Sequence, residues 1–130
     1  MQILMEESEE FQTTRGLGLI KGKVVAIKNK TSNGKQLKKP HIGWNIIKVP
    51  DNNKNNTWKN TPLENINNNS YVYYLHSFSA VPKDKLNILA ETSYGGYNLT
   101  AAIIKENTMG CQFHPEKSGK IGLNLSLIHI

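Results

Sequence analysis

The stretch Gly110-Cys111-Gln112-Phe113-His114-Pro115-Glu116-Lys117-Ser118-Gly119 sets an imidazole and a carboxylate two residues apart around a proline. In an extended chain, residues i and i+2 point to the same side. Pro115 fixes its own φ and biases His114 away from the helical region. Local geometry therefore predicts His114 and Glu116 side by side. Such a pair is the base-and-orienter half of a nucleophilic triad: the histidine takes the nucleophile's proton, and the carboxylate selects its tautomer and stabilises the imidazolium. Spacing alone leaves a second reading open, a surface His–Glu pair at a strand end.

Cys111 is the one cysteine of the sequence. It can form neither an internal disulfide nor a zinc site of spaced cysteines. It precedes His114 by three on the same predicted strand, so its thiol should face away from the imidazole and behave as a small buried hydrophobe. A bulge, or a strand ending just there, would be needed to make it a nucleophile.

Outward from this stretch, Met109–Phe113 reads as a short strand, Asn107–Gly110 as a turn, and 117–127 as a closing helix. Leu86–Ser93 and Leu99–Lys105 read as a hairpin about Tyr94-Gly-Gly-Tyr97. Tyr71–Phe78 is the most strand-like segment. His41–Val49 is a strand between Pro40 and Pro50, and Gly22–Ile27 another. Gln2–Phe11 reads as an amphipathic helix, with Ile3, Leu4 and Phe11 on one side and Glu6, Glu7, Glu9 and Glu10 on the other. Residues 51–70, rich in asparagine, read as a polar surface loop with a helical turn near Pro62-Leu63-Glu64. Strands in the middle with helices at the two ends suggest α+β, or part of an α/β domain.

The 130 residues suffice for one domain or part of one. Hydrophobic residues at 38% and charged residues at 20% suit a globular protein, and no apolar run approaches the length of a membrane span. The first residues lack the basic start of a signal peptide, which makes the cytoplasm the expected location. The net charge of +6 could serve nucleic acid. However, the densest basic group, Lys28, Lys30, Lys35, Lys38 and Lys39, has no interleaved aromatic residues for base stacking. It reads as a solvated loop or a local contact for an anion or acidic partner.

Phe113-His-Pro-Glu-Lys-Ser118, preceded by Gly110 and Gln112, resembles the catalytic His–Glu segment of class I (triad) glutamine amidotransferases. Pro40-His-Ile-Gly-Trp-Asn45 and Leu75-His-Ser-Phe78 are similar, in order and approximate spacing, to the glutaminase subunits of imidazole glycerol phosphate synthases within that family. Gly16-Leu-Gly-Leu-Ile20 and Tyr94-Gly95 also fit. The resemblance covers residues 1–125, and 126–130 form an atypical tail in which His129 has no role.

The resemblance implies an α/β, three-layer domain with a central, mostly parallel sheet and helices on both faces. It implies hydrolysis of glutamine to glutamate and ammonia, without a cofactor or metal, by a Cys-His-Glu triad. Met1-Gln2 matches the end of the family's Gly-x-Cys-x-Gly-x-Gln elbow, so the nucleophile is expected just upstream of Met1 and the chain alone is expected to be inactive. With the N-terminal strands and elbow absent, an unpaired sheet edge and marginal stability are expected. His114 is then general base and acid, and Glu116 its orienter. Gln2, Ser77 and Phe78 match positions that hold the substrate, and Trp44, Asn45 and Lys117 match positions facing a (β/α)8-barrel cyclase subunit, the heterodimer partner that receives the ammonia. Two alternatives share the motifs: a paralogue supplying ammonia for sugar amination in surface glycans, and a non-catalytic, partner-binding remnant.

Overall fold

The computed structural model describes residues 1–10, 14–51 and 58–128. After a 3₁₀ turn at Gln2–Leu4, the chain forms β1 (Met5–Ser8), β2 (Thr14–Arg15), β3 (Ile20–Ala26), β4 (His41–Ile47), β5 (Ser70–His76), β6 (Phe78–Pro82), β7 (Ile88–Tyr94), β8 (Tyr97–Lys105), β9 (Thr108–Cys111) and α1 (Gly119–Ile128). These make a four-stranded sheet in the order β2-β1-β3-β6, a β4-β5 pair and a three-stranded sheet β7-β8-β9.

β3 shows why alternation makes a strand. Ile20 and Val24 are buried while Lys21 and Lys23 point to solvent, as the two-residue period of a pleated strand requires. β7 and β8 form the expected hairpin. Gly95 and Gly96, both at positive φ (62° and 84°), supply the two left-handed residues that a tight hairpin turn needs.

The α/β class stands, with two corrections of detail. Among the described residues, β1 and β3 alone pair in parallel, and the remaining pairings are antiparallel. Short turns join β7 to β8 and β8 to β9 and make those pairs antiparallel, whereas a parallel pair needs a longer crossover. The helix expected over Gln2–Phe11 is instead a 3₁₀ turn followed by β1, and Phe11 lies outside the described residues. Long-range partners decide it. Met5, Glu7 and Ser8 pair with Ile20, Lys23 and Val24. The Glu6 carboxylate accepts the Gly22 N–H at 2.8 Å, and Glu7 meets Lys23 Nζ at 3.2 Å. The acidic residues that imitate a helix's polar face are thus cross-strand partners.

The main core joins β4, β5, β7, β8 and α1 through Ile47, Val72, Tyr74, Leu89, Ala101 and Leu125. Lys48 and Glu91 exchange both backbone hydrogen bonds, at 2.9 Å each, and stitch β4 to β7. A second core of Met5, Ile20, Val24, Ala80 and Ile103 lies under the four-stranded sheet. The asparagine-rich connection is more than a surface loop. Trp58 and Leu63 are buried in the main core, and Trp58 Nε1 donates to the Leu89 carbonyl at 2.8 Å. Residues 52–57 lie outside the described residues. Leu63→Ala is therefore expected to lower the unfolding free energy by about 2–5 kcal/mol, measured by urea denaturation. A loss below about 0.5 kcal/mol would restore the surface-loop reading.

Candidate active site

His114 is held by backbone. Its N–H donates to the Tyr73 carbonyl at 2.9 Å. The Ser118 hydroxyl donates to the His114 carbonyl at 2.6 Å and accepts the Tyr73 N–H at 3.0 Å. Ser118 is almost fully buried. Both ends of the 114–118 segment are thereby tied to one residue of β5. His114 itself is extended (φ −99°, ψ 101°), and Pro115 opens a 3₁₀ turn over Pro115–Lys117.

The two side chains meet as the spacing predicts, though the cause is a turn rather than a continuous strand. His114 Nδ1 lies 3.0 Å from Glu116 Oε1. The Glu116 carboxyl is held below the usual carboxylate range by its own backbone N–H and then by His114 and Lys117. A carboxylate at Nδ1 makes that nitrogen the donor and leaves the Nε2 lone pair free to take a proton.

His114 borders a cleft of about 790 Å³. Its other walls are Met1–Ile3, the Leu75–Phe78 corner and Cys111–Phe113, with Glu10 and Pro40 at the margin. Gln2, Ser77 and Phe78, predicted to hold substrate, thus line one cavity with His114. Ser77 is where the chain leaves the β4-β5 pair and enters β6 beside β3, and its carbonyl accepts the Ile27 N–H at 2.9 Å. Gln112 also lines the cleft, with its Oε1 shut from solvent and unbonded. Cys111 ends β9 opposite Ala102 and packs against the main core. Burial pushes its thiol up to about 12, so it is a neutral thiol at pH 7. Among the described residues, no group of three or more His, Cys, Asp and Glu side chains could hold a metal ion.

Trp44, Asn45 and Lys117 lie away from the cleft. Trp44 is 56% exposed and meets Tyr73 edge-on at 5.9 Å between ring centres. Lys117 Nζ sits 6.0 Å from the centre of the same ring. Together with Ile42–Leu75 and Ile46–Tyr71, the Trp44–Tyr73 pair completes an outward-facing ladder of cross-strand apolar pairs, most of it exposed. Asn45 faces inward. Its Nδ2 donates to the Ser93 carbonyl at 2.8 Å and its Oδ1 accepts the Ile46 N–H at 2.8 Å.

Sequence reasoning assigned no role to His41 and His76, which face each other across β4 and β5. His41 Nδ1 lies 2.9 Å from His76 Nε2, and both rings are buried. Burial, then the neighbouring His76, lowers the His41 pKa to about 4. Burial also lowers that of His76, as does His114, against the Phe78 carbonyl, which raises it. Both rings are more basic unfolded than folded. Their stabilisation is therefore complete above the unfolded pKa of about 6.5 and is lost as pH falls toward the folded values. Unfolding free energies at pH 7.5 and 5 are expected to differ by about 2 kcal/mol from His41 alone. Equal stability at the two pH values would contradict a neutral buried pair.

The family model for glutamine amidotransferase class-I matches residues 1–124. Imidazole glycerol phosphate synthase subunit HisH 1 of Legionella pneumophila (strain Lens) is 45% identical over 125 residues, 96% of this chain and 58% of that protein. The HisH subunit of Methanocaldococcus jannaschii is 45% identical over 126 residues, 96% of this chain and 56% of that protein. That of Bacillus subtilis (strain 168) is 38% identical over 125 residues, 96% of this chain and 55% of that protein. The chain thus spans somewhat more than half the length of these curated relatives.

Proposed function

The chain belongs to the class-I glutamine amidotransferase family, and from that premise we propose that it acts as part of the glutaminase subunit of an imidazole glycerol phosphate synthase, in histidine biosynthesis in the cytoplasm. The observation that carries this reading is the 3.0 Å bond between His114 and Glu116 at the edge of a cleft shared with Gln2, Ser77 and Phe78.

In this reading the cleft takes the side-chain amide of glutamine. With Nδ1–H given to Glu116, His114 Nε2 accepts the proton of a cysteine thiol as the thiolate attacks the amide carbon. It returns that proton to the departing ammonia, and then activates the water that releases glutamate from the thioester. Glu116 holds the tautomer and offsets the charge of the imidazolium. Cys111, half-buried at the end of β9 and packed against the main core, is not given that role, since burial disfavours its thiolate. The 130 residues alone therefore bind glutamine without turning it over. The outward ladder around Trp44, with Lys117 at its edge, is the face for the (β/α)8-barrel cyclase subunit that receives the ammonia. An exposed apolar patch with an aromatic centre and a cationic rim suits such an interface.

Two measurements test this. Titration with glutamine is expected to move the backbone amide resonances of Gln2, Ser77 and Phe78, while no glutamate is released and Cys111→Ala changes neither result. Glutamine hydrolysis that Cys111→Ala abolishes would overturn the assignment. Titration with the barrel subunit of an imidazole glycerol phosphate synthase is expected to give a complex that Trp44→Ala weakens by about tenfold or more. Unchanged affinity would remove the ladder from the interface.

A further inference from the structure

His41 and His76 lie in a chain of hydrogen bonds whose two ends are both set by backbone groups. At one end, Asn45 has no freedom to flip. Its Oδ1 takes the Ile46 N–H and its Nδ2 gives to the Ser93 carbonyl, so the group 3.2 Å from His41 Nε2 is an amide donor. At the other end, His76 Nδ1 faces the Phe78 carbonyl at 2.9 Å and must donate to it. Between them, His41 Nδ1 and His76 Nε2 are 2.9 Å apart. A single proton arrangement satisfies every contact with neutral rings: Asn45 Nδ2–H to His41 Nε2, His41 Nδ1–H to His76 Nε2, and His76 Nδ1–H to the Phe78 carbonyl. The demands of the two ends agree. An added proton on either ring would set two donors against each other.

The neighbours add no competing charge along this line. Tyr74 and Tyr94 stack on the two faces of His41, at 4.8 and 4.1 Å between ring centres. The Tyr74 hydroxyl donates to the Ile46 carbonyl and that of Tyr94 to the Lys38 carbonyl. The one further titratable group acting on His76 is His114. The relay starts on β4, one residue from the exposed Trp44, and ends in the cleft wall, which His76 and Phe78 both line.

We propose that His41 and His76 are positioning residues that form a one-way hydrogen-bond relay, transmitting the state of β4 at Asn45 to the Phe78 carbonyl in the cleft. A shift of β4 that moves Asn45 then reaches the cleft wall at His76 and Phe78. The consequence for glutamine rests on the amidotransferase reading. The relay itself does not, and it is tested in this chain without partner or substrate.

The test is long-range proton–nitrogen NMR on the 130-residue chain with ¹⁵N-labelled histidine. At pH 7.5 both rings are expected as the Nδ1–H tautomer, with a through-hydrogen-bond coupling between His41 Nδ1 and His76 Nε2. Asn45→Asp then reverses one end. The carboxylate accepts from His41 Nε2–H, so His41 takes one proton from solvent, becomes imidazolium balanced by the new carboxylate, and keeps its Nδ1–H on His76 Nε2. Its proton affinity is expected to rise about tenfold or more, one pKa unit, the His41–His76 bond to strengthen as a charge-assisted one with a larger through-hydrogen-bond coupling, and the Ser77 and Phe78 amide resonances to move with it. A packing role for His76 would leave that coupling and those resonances where they are. An Nε2–H tautomer for either ring in the unsubstituted chain would overturn the proposal, as would an Asn45→Asp effect that stops at His41. Should the variant fail to fold, the tautomers and coupling of the unsubstituted chain still decide the matter.

Discussion

The backbone of Tyr73 is the point on which the site depends. Its carbonyl takes the His114 N–H and its N–H gives to the Ser118 hydroxyl. The outer edge of β5 is thus spent on the 114–118 segment, and Trp44 and Tyr73 form a pair without mutual backbone hydrogen bonds. Side chains in such pairs come closest, which accounts for the edge-on contact of the two rings. One residue of β5 therefore fixes the proposed base on one side and seats the centre of the exposed ladder on the other. Loss of the Ser118 hydroxyl would leave a buried N–H unpaired, a cost greater than that of an average hydrogen bond.

The second constraint is the corner at Ser77. β5 belongs with β4, and β6 belongs with β3, so the chain changes sheets between His76 and Phe78. The backbone groups freed at that change are bound by Ile27 and His76. A cleft opens where two sheets part, and its wall is backbone held from behind. That arrangement suits recognition of a small polar substrate, because the donors and acceptors are in place before it arrives. The two buried histidines, of which His76 is part of this wall, make the site sensitive to acid even though neither is a candidate for the chemistry.

The sequence made some of this legible and concealed the rest for definable reasons. The strands expected at Gly22–Ile27, His41–Val49 and Tyr71–Phe78, found at Ile20–Ala26, His41–Ile47 and Ser70–His76, and the Tyr94-Gly-Gly-Tyr97 turn were readable because their signals are local. So was the meeting of His114 with Glu116, since a proline restricts the residues between and beside them. The segment Gln2–Ser8 misled because its acidic residues have helical spacing, while the partners that make it a strand lie at Gly22 and Lys23. Trp58 and Leu63 were hidden by the asparagines around them. The Ser118 clamp spans 45 positions and the His41–His76 contact 35, distances over which periodicity says nothing. All three residues stood in quoted motifs, yet their roles follow only from the pairing of β4 with β5 and of β5 with the 114–118 segment.

The central claim is that this fold presents His114 as a base, its Nδ1 bound to Glu116 and its Nε2 open to the cleft. The tautomer of His114, read from its two ring nitrogens above the pH at which it is protonated, tests that claim most directly. The account predicts Nδ1–H as the dominant form, shifting toward a mixture in Glu116→Ala. A dominant Nε2–H form, or a tautomer ratio indifferent to Glu116, would contradict it.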